Sequence, residues 1–168
     1  MYRNMQEFVE GYGWESAVTA KLFANLTPES LSQQKAPGHD VTLGELAYHI
    51  ATAPAMMMRE VKWDLPERGW TSGGNVNLEE LQANYASDVA AIQKLASEAS
   101  EEQLNTVHHV FGMMDWNSHQ MLGALVCHEI HHRGQLSVLM RQAGLVVPSI
   151  YGPNFEETQE MLKQMQQG

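Results

Sequence analysis

Residues 117–144 read NSHQMLGALVCHEIHHRGQLSVLMRQAG, and their periodicity decides the fold. Apolar residues recur at helical spacing, with Met121, Leu125, Leu136 and Leu139 on one face of a helix running from about Asn117 or Ser118 to Ala143. Gly144 is placed to cap it, and Pro148 lies beyond. At about 100° per residue, positions four apart stack one turn above each other. His128 and His132 have that spacing and share the face of the four apolar residues. Their rise separation is about 6 Å, and two imidazoles leaning together reach one ion at about 2.0–2.1 Å each. As core histidines without an ion, each would need its own hydrogen-bond or charge partner, a costlier arrangement. His131 projects away from this face and is expected at the surface. Cys127 points about 100° away from His128 and is not expected to be a ligand.

Outward from this helix, the rest of the chain repeats the helical period and almost never alternates. A first helix is expected from about Tyr2 to Asn25, with Phe8, Trp14, Val18, Leu22 and Leu26 as its stripe and Gly11 and Gly13 weakening its middle. Thr27-Pro28-Glu29-Ser30 ends it and can start a short turn carrying Leu31. Pro37-Gly38 marks a turn. Thr42 with Glu45 three residues on is a capping-box pattern opening a second helix, along which Leu43, Leu46, Ile50, Ala53 and Met57 follow. Pro54 inside it must cost a hydrogen bond or kink the helix, which is expected to end near Trp63, before Pro66. Residues 66–77 read as a loop containing Trp70. Asn77, followed by Glu79 and Glu80, caps a third helix to about Ala99. Ser100 with Gln103 caps a further turn, residues 108–115 read as an irregular loop, and a last helix covers about Phe155 to Gln167. The expectation is an all-α chain, an antiparallel four-helix bundle with short additional helices, forming one domain over residues 1–168.

The bulk properties narrow the partners. The chain has 168 residues, 43% hydrophobic, and a net charge of −10. A chain this long buries roughly 70% of its unfolded surface and needs no disulfides to fold. Its acidic excess repels phosphate backbones and anionic lipid, so neither nucleic acid nor a membrane is an expected partner. Cys127 is the single cysteine, so no internal disulfide exists. No stretch approaches the roughly 18 apolar residues of a membrane span, and the N-terminal segment lacks the apolar run of a signal peptide. A cytoplasmic location is the expectation.

A catalytic-type metal site needs a third ligand. His39, His108 and His109 fall in expected loops, and His119 lies more than two turns before His128. His49, on the second helix beside Leu46, Ile50 and Ala53, leads without excluding the others. The segment His128-Glu129-Ile130-His131-His132 also satisfies H-E-x-x-H, in which Glu129 would be the general base acting on metal-activated water. The short pattern arises often by chance, and nothing else in the chain resembles a peptidase.

Three features together resemble the DinB/YfiT-like family of metalloenzymes. They are Leu46-Ala47-Tyr48-His49-Ile50, the run His128-x-x-x-His132-Arg133-Gly134-Gln135-Leu136, and Met140-Arg141-Gln142-Ala143-Gly144 followed by Pro148. The resemblance covers essentially the whole chain. It implies a four-helix bundle whose three-histidine site is matched by His49, His128 and His132. It also implies frequent homodimers and a divalent metal ion such as nickel or zinc.

Three neutral imidazoles leave an open coordination position for water or a thiolate. A ligating histidine usually donates its other N–H to a carboxylate or carbonyl. Glu45 and Glu129 are candidates for that role, with a solvated helix-surface glutamate as the alternative. Arg133 is expected to pair with a carboxylate or to bind an anionic substrate group. Gly134 can allow close helix approach, and Gln135 can hydrogen-bond across the bundle. Met56-Met57-Met58 reads as core filler ahead of an adaptable pocket wall. Trp63, Trp70 and Trp116 can line a pocket, pack the core or cover an interface. The leading functional expectation is a metal-dependent enzyme on a small molecule; the family resemblance implies the thiol-dependent S-transferase kind, with a low-molecular-weight thiol as co-substrate. The alternatives are a metal-dependent hydrolase using Glu129 and a metal-binding or sensing bundle without turnover.

Overall fold

The computed structural model describes residues 2–36, 38, 41–69 and 76–167. Its main helices are α1 (Met5–Ala24), α2 (Leu43–Glu60), α3 (Leu78–Glu98) and α5 (Ser118–Gln142). A single turn, α4 (Glu101–Asn105), precedes a hairpin of β1 (Val107–Val110) and β2 (Met114–Asn117), and α6 (Phe155–Gln167) ends the chain. The all-helical class holds, with this hairpin as its one small sheet among the described residues.

Helix starts follow the capping chemistry written in the sequence. Thr42 and Glu45 form a reciprocal capping box, as do Ser100 with Gln103 and Asn117 with Gln120. The Asn77 side chain accepts from the backbone N–H groups of Glu79 and Glu80. A 3-10 turn over Pro28–Ser32 follows α1. Gly144, at φ 78°, ends α5 in the left-handed conformation that suits glycine. Pro54 lies within α2 without ending it. The missing N–H is tolerated because Ile50, Ala51, Met57 and Met58 on either side are buried. The helix stops three residues short of Trp63, whose indole N–H donates to Ser118 Oγ at 3.1 Å. The Ser118 hydroxyl in turn donates to the Gln103 carbonyl. This pins the end of α2 to the start of α5.

Two expectations need correction. Residues 107–117 form an antiparallel hairpin with Val110 opposite Met114, in place of an irregular loop. Its turn carries positive φ at Phe111 (54°) and Gly112 (65°), the signs of a hairpin turn whose twist matches its strands. Phenylalanine is a poor signal for that position. Here the cost is offset by its backbone N–H, which donates to Glu60 Oε2 at 2.6 Å. On α1, Trp14 is 51% exposed. The rest of the expected stripe, Phe8, Val18, Leu22 and Leu26, is buried, and Tyr12, Ser16, Thr19 and Phe23 join it, two of these polar and therefore invisible to a purely apolar pattern.

α1 packs on α3 and α2 on α5, both antiparallel. Gln93 donates to the Val9 carbonyl near one end of the first pair, and Phe23 meets Tyr85 edge-on toward the other. In the second pair, His49 faces His128 and His132 while Trp63 faces Ser118. α2 also touches α3, and both finish at one end of the bundle, where Lys62 and Trp63 adjoin Leu95 and Glu98. Among the described residues, no helix is long and apolar enough to cross a membrane. Met57, Met58 and Trp63 are core, Met56 is exposed, and Trp116 is half-buried. Trp70 and Pro37 lie outside the described residues.

Candidate metal centre

The seam between α2 and α5 brings His49, His128 and His132 together. His49 Nε2 lies 3.1 Å from His128 Nε2 and 3.3 Å from His132 Nε2, and one ligand atom from each ring falls within 4.8 Å of the others. Two nitrogens bound to one tetrahedral ion at about 2.0–2.1 Å stand about 3.3–3.4 Å apart. The trio fits a shared divalent ion in another respect. A neutral imidazole has one N–H, so His49 Nε2 cannot donate to both neighbours at once. A cation between the three lone pairs satisfies them together.

The rings are half-buried, and that sets their protonation. Burial holds the imidazolium form of His128 down, with His132, His49 and His131 adding repulsion, and its pKa falls to about 4. Burial and the neighbouring imidazole lower His49. Burial is also the main cause lowering His132, partly offset by its hydrogen bond to Gln135. Neutral, deprotonated nitrogens are what a metal ion requires.

Gln135 orients one ring directly. Its side-chain oxygen accepts from His132 Nδ1 at 2.9 Å, and its amide lies 3.1 Å from His131 Nε2. Gln135 therefore bonds within α5, where a bond across the bundle was expected. A Cβ on the exposed Gly134 would meet no atom within 4 Å, so that glycine marks no close helix approach.

Glu129 is 2% exposed, which excludes the surface alternative for it. Its Oε1 accepts from the hydroxyls of Thr19 and Tyr85, each at 2.6 Å, placing the carboxylate toward α1 and α3. Burial raises its pKa against those two bonds and the nearby Arg133. Glu45 is occupied at the α2 cap, accepting from the Thr42 N–H at 2.7 Å. Arg133 is 1% exposed and pairs with Glu15 on α1, so it serves as an internal ion-pair partner. His131, His109, His119 and Cys127 are exposed. His109 meets Asp115 at 2.8 Å across the hairpin. His39 lies outside the described residues. Thr19, Tyr85 and Glu15 escaped the sequence reading, since nothing local in the chain marks residues that meet α5 from more than forty positions away.

The bundle and its converging imidazoles define a helical protein built to present three histidines from two helices to one point. The chain belongs to the DinB family, whose model matches residues 1–167. It is 32% identical over 159 residues to the uncharacterized protein YrdA of Bacillus subtilis (strain 168), covering 94% of this chain and 93% of that one. A crystal structure of a DinB-like protein from Bacillus cereus ATCC 10987 superposes with a TM-score of 0.74 at 35% identity, covering 90% of this chain and all of the other. The DinB-like protein YjoA of Bacillus subtilis shares the fold at 20% identity, with a TM-score of 0.61 over 82% of this chain and 92% of that one.

Proposed function

We propose that the protein is a metal-dependent enzyme acting on a small molecule, with a nickel or zinc ion held by His49, His128 and His132 and a low-molecular-weight thiol as co-substrate. The observation that carries this reading is the approach of His49 Nε2 to both partner nitrogens at 3.1 and 3.3 Å. A divalent ion held there supplies positive charge that lowers the pKa of a thiol or water brought to it. The chain's own part is to hold three neutral donors, which leaves that charge uncompensated. Gln135 fixes one ring, and the half-buried seam limits competing water. Lys35 lies close enough to His132 to disfavour its protonation.

Hydrolysis with Glu129 as base has less support, because its carboxylate already accepts from Thr19 and Tyr85 on the α1 and α3 side of α5. The test is turnover by metal-loaded protein given a thiol and an electrophile. Thiol consumption should track metal content and vanish in His128→Ala. Activity that survives stoichiometric metal loss overturns the proposal. Absence of turnover across thiols, esters and amides would favour a metal-binding or sensing bundle.

A further inference from the structure

The side chain of Gln135 lies between two successive imidazoles of α5. Its oxygen accepts from His132 Nδ1 at 2.9 Å, and its amide nitrogen is 3.1 Å from His131 Nε2. The rings of His131 and His132 meet edge-on with centroids 4.8 Å apart, so one amide can span both.

The two ends of an amide are not equivalent. A carbonyl facing His132 Nδ1 requires a proton on that nitrogen, which leaves Nε2 with a bare lone pair. The reversed amide would present N–H groups to Nδ1 and push the proton onto Nε2, into the triangle of imidazole nitrogens. There His49 Nε2 already stands 3.1 and 3.3 Å from its two neighbours. His131 Nε2, as acceptor for the amide N–H, anchors the productive orientation from the far side.

We infer that Gln135 is a positioning residue that locks His132 in its Nδ1–H tautomer, keeping the Nε2 lone pair turned toward His49 and His128. The consequence for metal affinity rests on the proposed metal centre, whereas the tautomer is a property of the metal-free chain.

Long-range nitrogen–proton correlation spectra of metal-free protein at pH 7.5 read the tautomer directly, with the His132 signals assigned by their loss in His132→Ala. Wild type should show Nδ1 protonated and Nε2 bare. Gln135→Met removes both contacts and should move the proton to Nε2, the preference of an unconstrained histidine side chain. Gln135→Glu keeps an acceptor and should retain Nδ1–H. His131→Ala removes only the far anchor and should shift the tautomer less. Zinc dissociation constants should rise roughly 10–100-fold in Gln135→Met and stay within a few-fold in Gln135→Glu. A His132 that remains Nδ1–H in Gln135→Met overturns the inference. Wild-type protein that takes up neither zinc nor nickel would defeat the metal reading alone, and the tautomer comparison would still decide the role of Gln135.

Discussion

Arg133 donates from Nη2 to Glu15 Oε2 at 2.5 Å and from Nη1 to the Glu15 carbonyl at 2.9 Å, joining α5 to α1 one residue beyond His132. Tyr151, in the segment after α5, closes the cluster by donating to the same Glu15 oxygen while also accepting from Arg133. Its ring stacks on Trp14 at 5.4 Å. Burial raises the pKa of the Glu129 carboxyl one turn earlier, and the same guanidinium opposes that rise.

Arg133→Ala leaves Glu15 and Glu129 without their cation, and removing one partner of a buried pair costs about 3–5 kcal/mol. Tyr151→Phe removes a single hydroxyl and should cost about 1 kcal/mol. Urea unfolding at neutral pH measures both, and a loss in Arg133→Ala no larger than in Tyr151→Phe contradicts this account.

Metal binding should stabilise the folded chain by mass action, by about 2.7 kcal/mol when free metal is a hundredfold above its dissociation constant. A thermal scan should show the midpoint rising with zinc or nickel and returning on chelation. His49→Ala, His128→Ala and His132→Ala should each abolish the shift while keeping a helical circular-dichroism spectrum. Retention of the full shift in any one of them removes that residue from the ligand set.

The pH dependence of the metal-free protein follows from His128. Its pKa falls from an ordinary value of about 6.5 to about 4 in the folded chain. The unfolded chain therefore binds more protons in between, and stability is lost as pH falls from about 6.5 toward 4. Glu129, raised by burial, acts in the opposite sense, so the informative quantity is the difference between wild type and His128→Ala. Denaturant midpoints at pH 7.5 and 5 should fall more steeply in wild type. Parallel profiles would contradict the assignment.

Glu129→Gln keeps an oxygen able to accept from Thr19 and Tyr85, so folding and metal stoichiometry should persist. Under the thiol reading, turnover should also persist. Intact metal with abolished turnover would restore Glu129 as the general base.

α6 leaves Phe155, Met161, Leu162 and Met165 exposed, and we propose this face as the contact of the homodimer that the family resemblance implies. Paired substitution of Met161 and Met165 by Glu should convert a dimer to monomer in light scattering without loss of helicity. A wild-type chain that is monomeric at high concentration removes this expectation.

Helix existence was legible because capping residues and the 3.6 period act locally, as Thr42 with Glu45 and Asn77 before two glutamates illustrate. The pairing of His128 with His132 was legible for the same reason. His49 was one of several candidates until family resemblance singled it out, since no local rule says which helix faces α5. The hairpin escaped because Phe111 hides a turn that Glu60 stabilises from another element. The inward aim of Glu129 escaped because its partners, Thr19 and Tyr85, come from α1 and α3, and the ion pair expected of Arg133 was legible without its partner, Glu15 of α1. Gln135 was noticed, but its bonds are to the preceding turn of its own helix.

His49 stands 79 positions before His128. During synthesis, which proceeds at roughly 5–20 residues per second, the first imidazole leaves the ribosome seconds ahead of the other two. For nearly half of the chain's length, the nascent protein thus carries His49 without its two α5 partners. On the proposed metal reading, tight capture of an ion waits for α5 to dock, which makes metal loading a report on completed assembly.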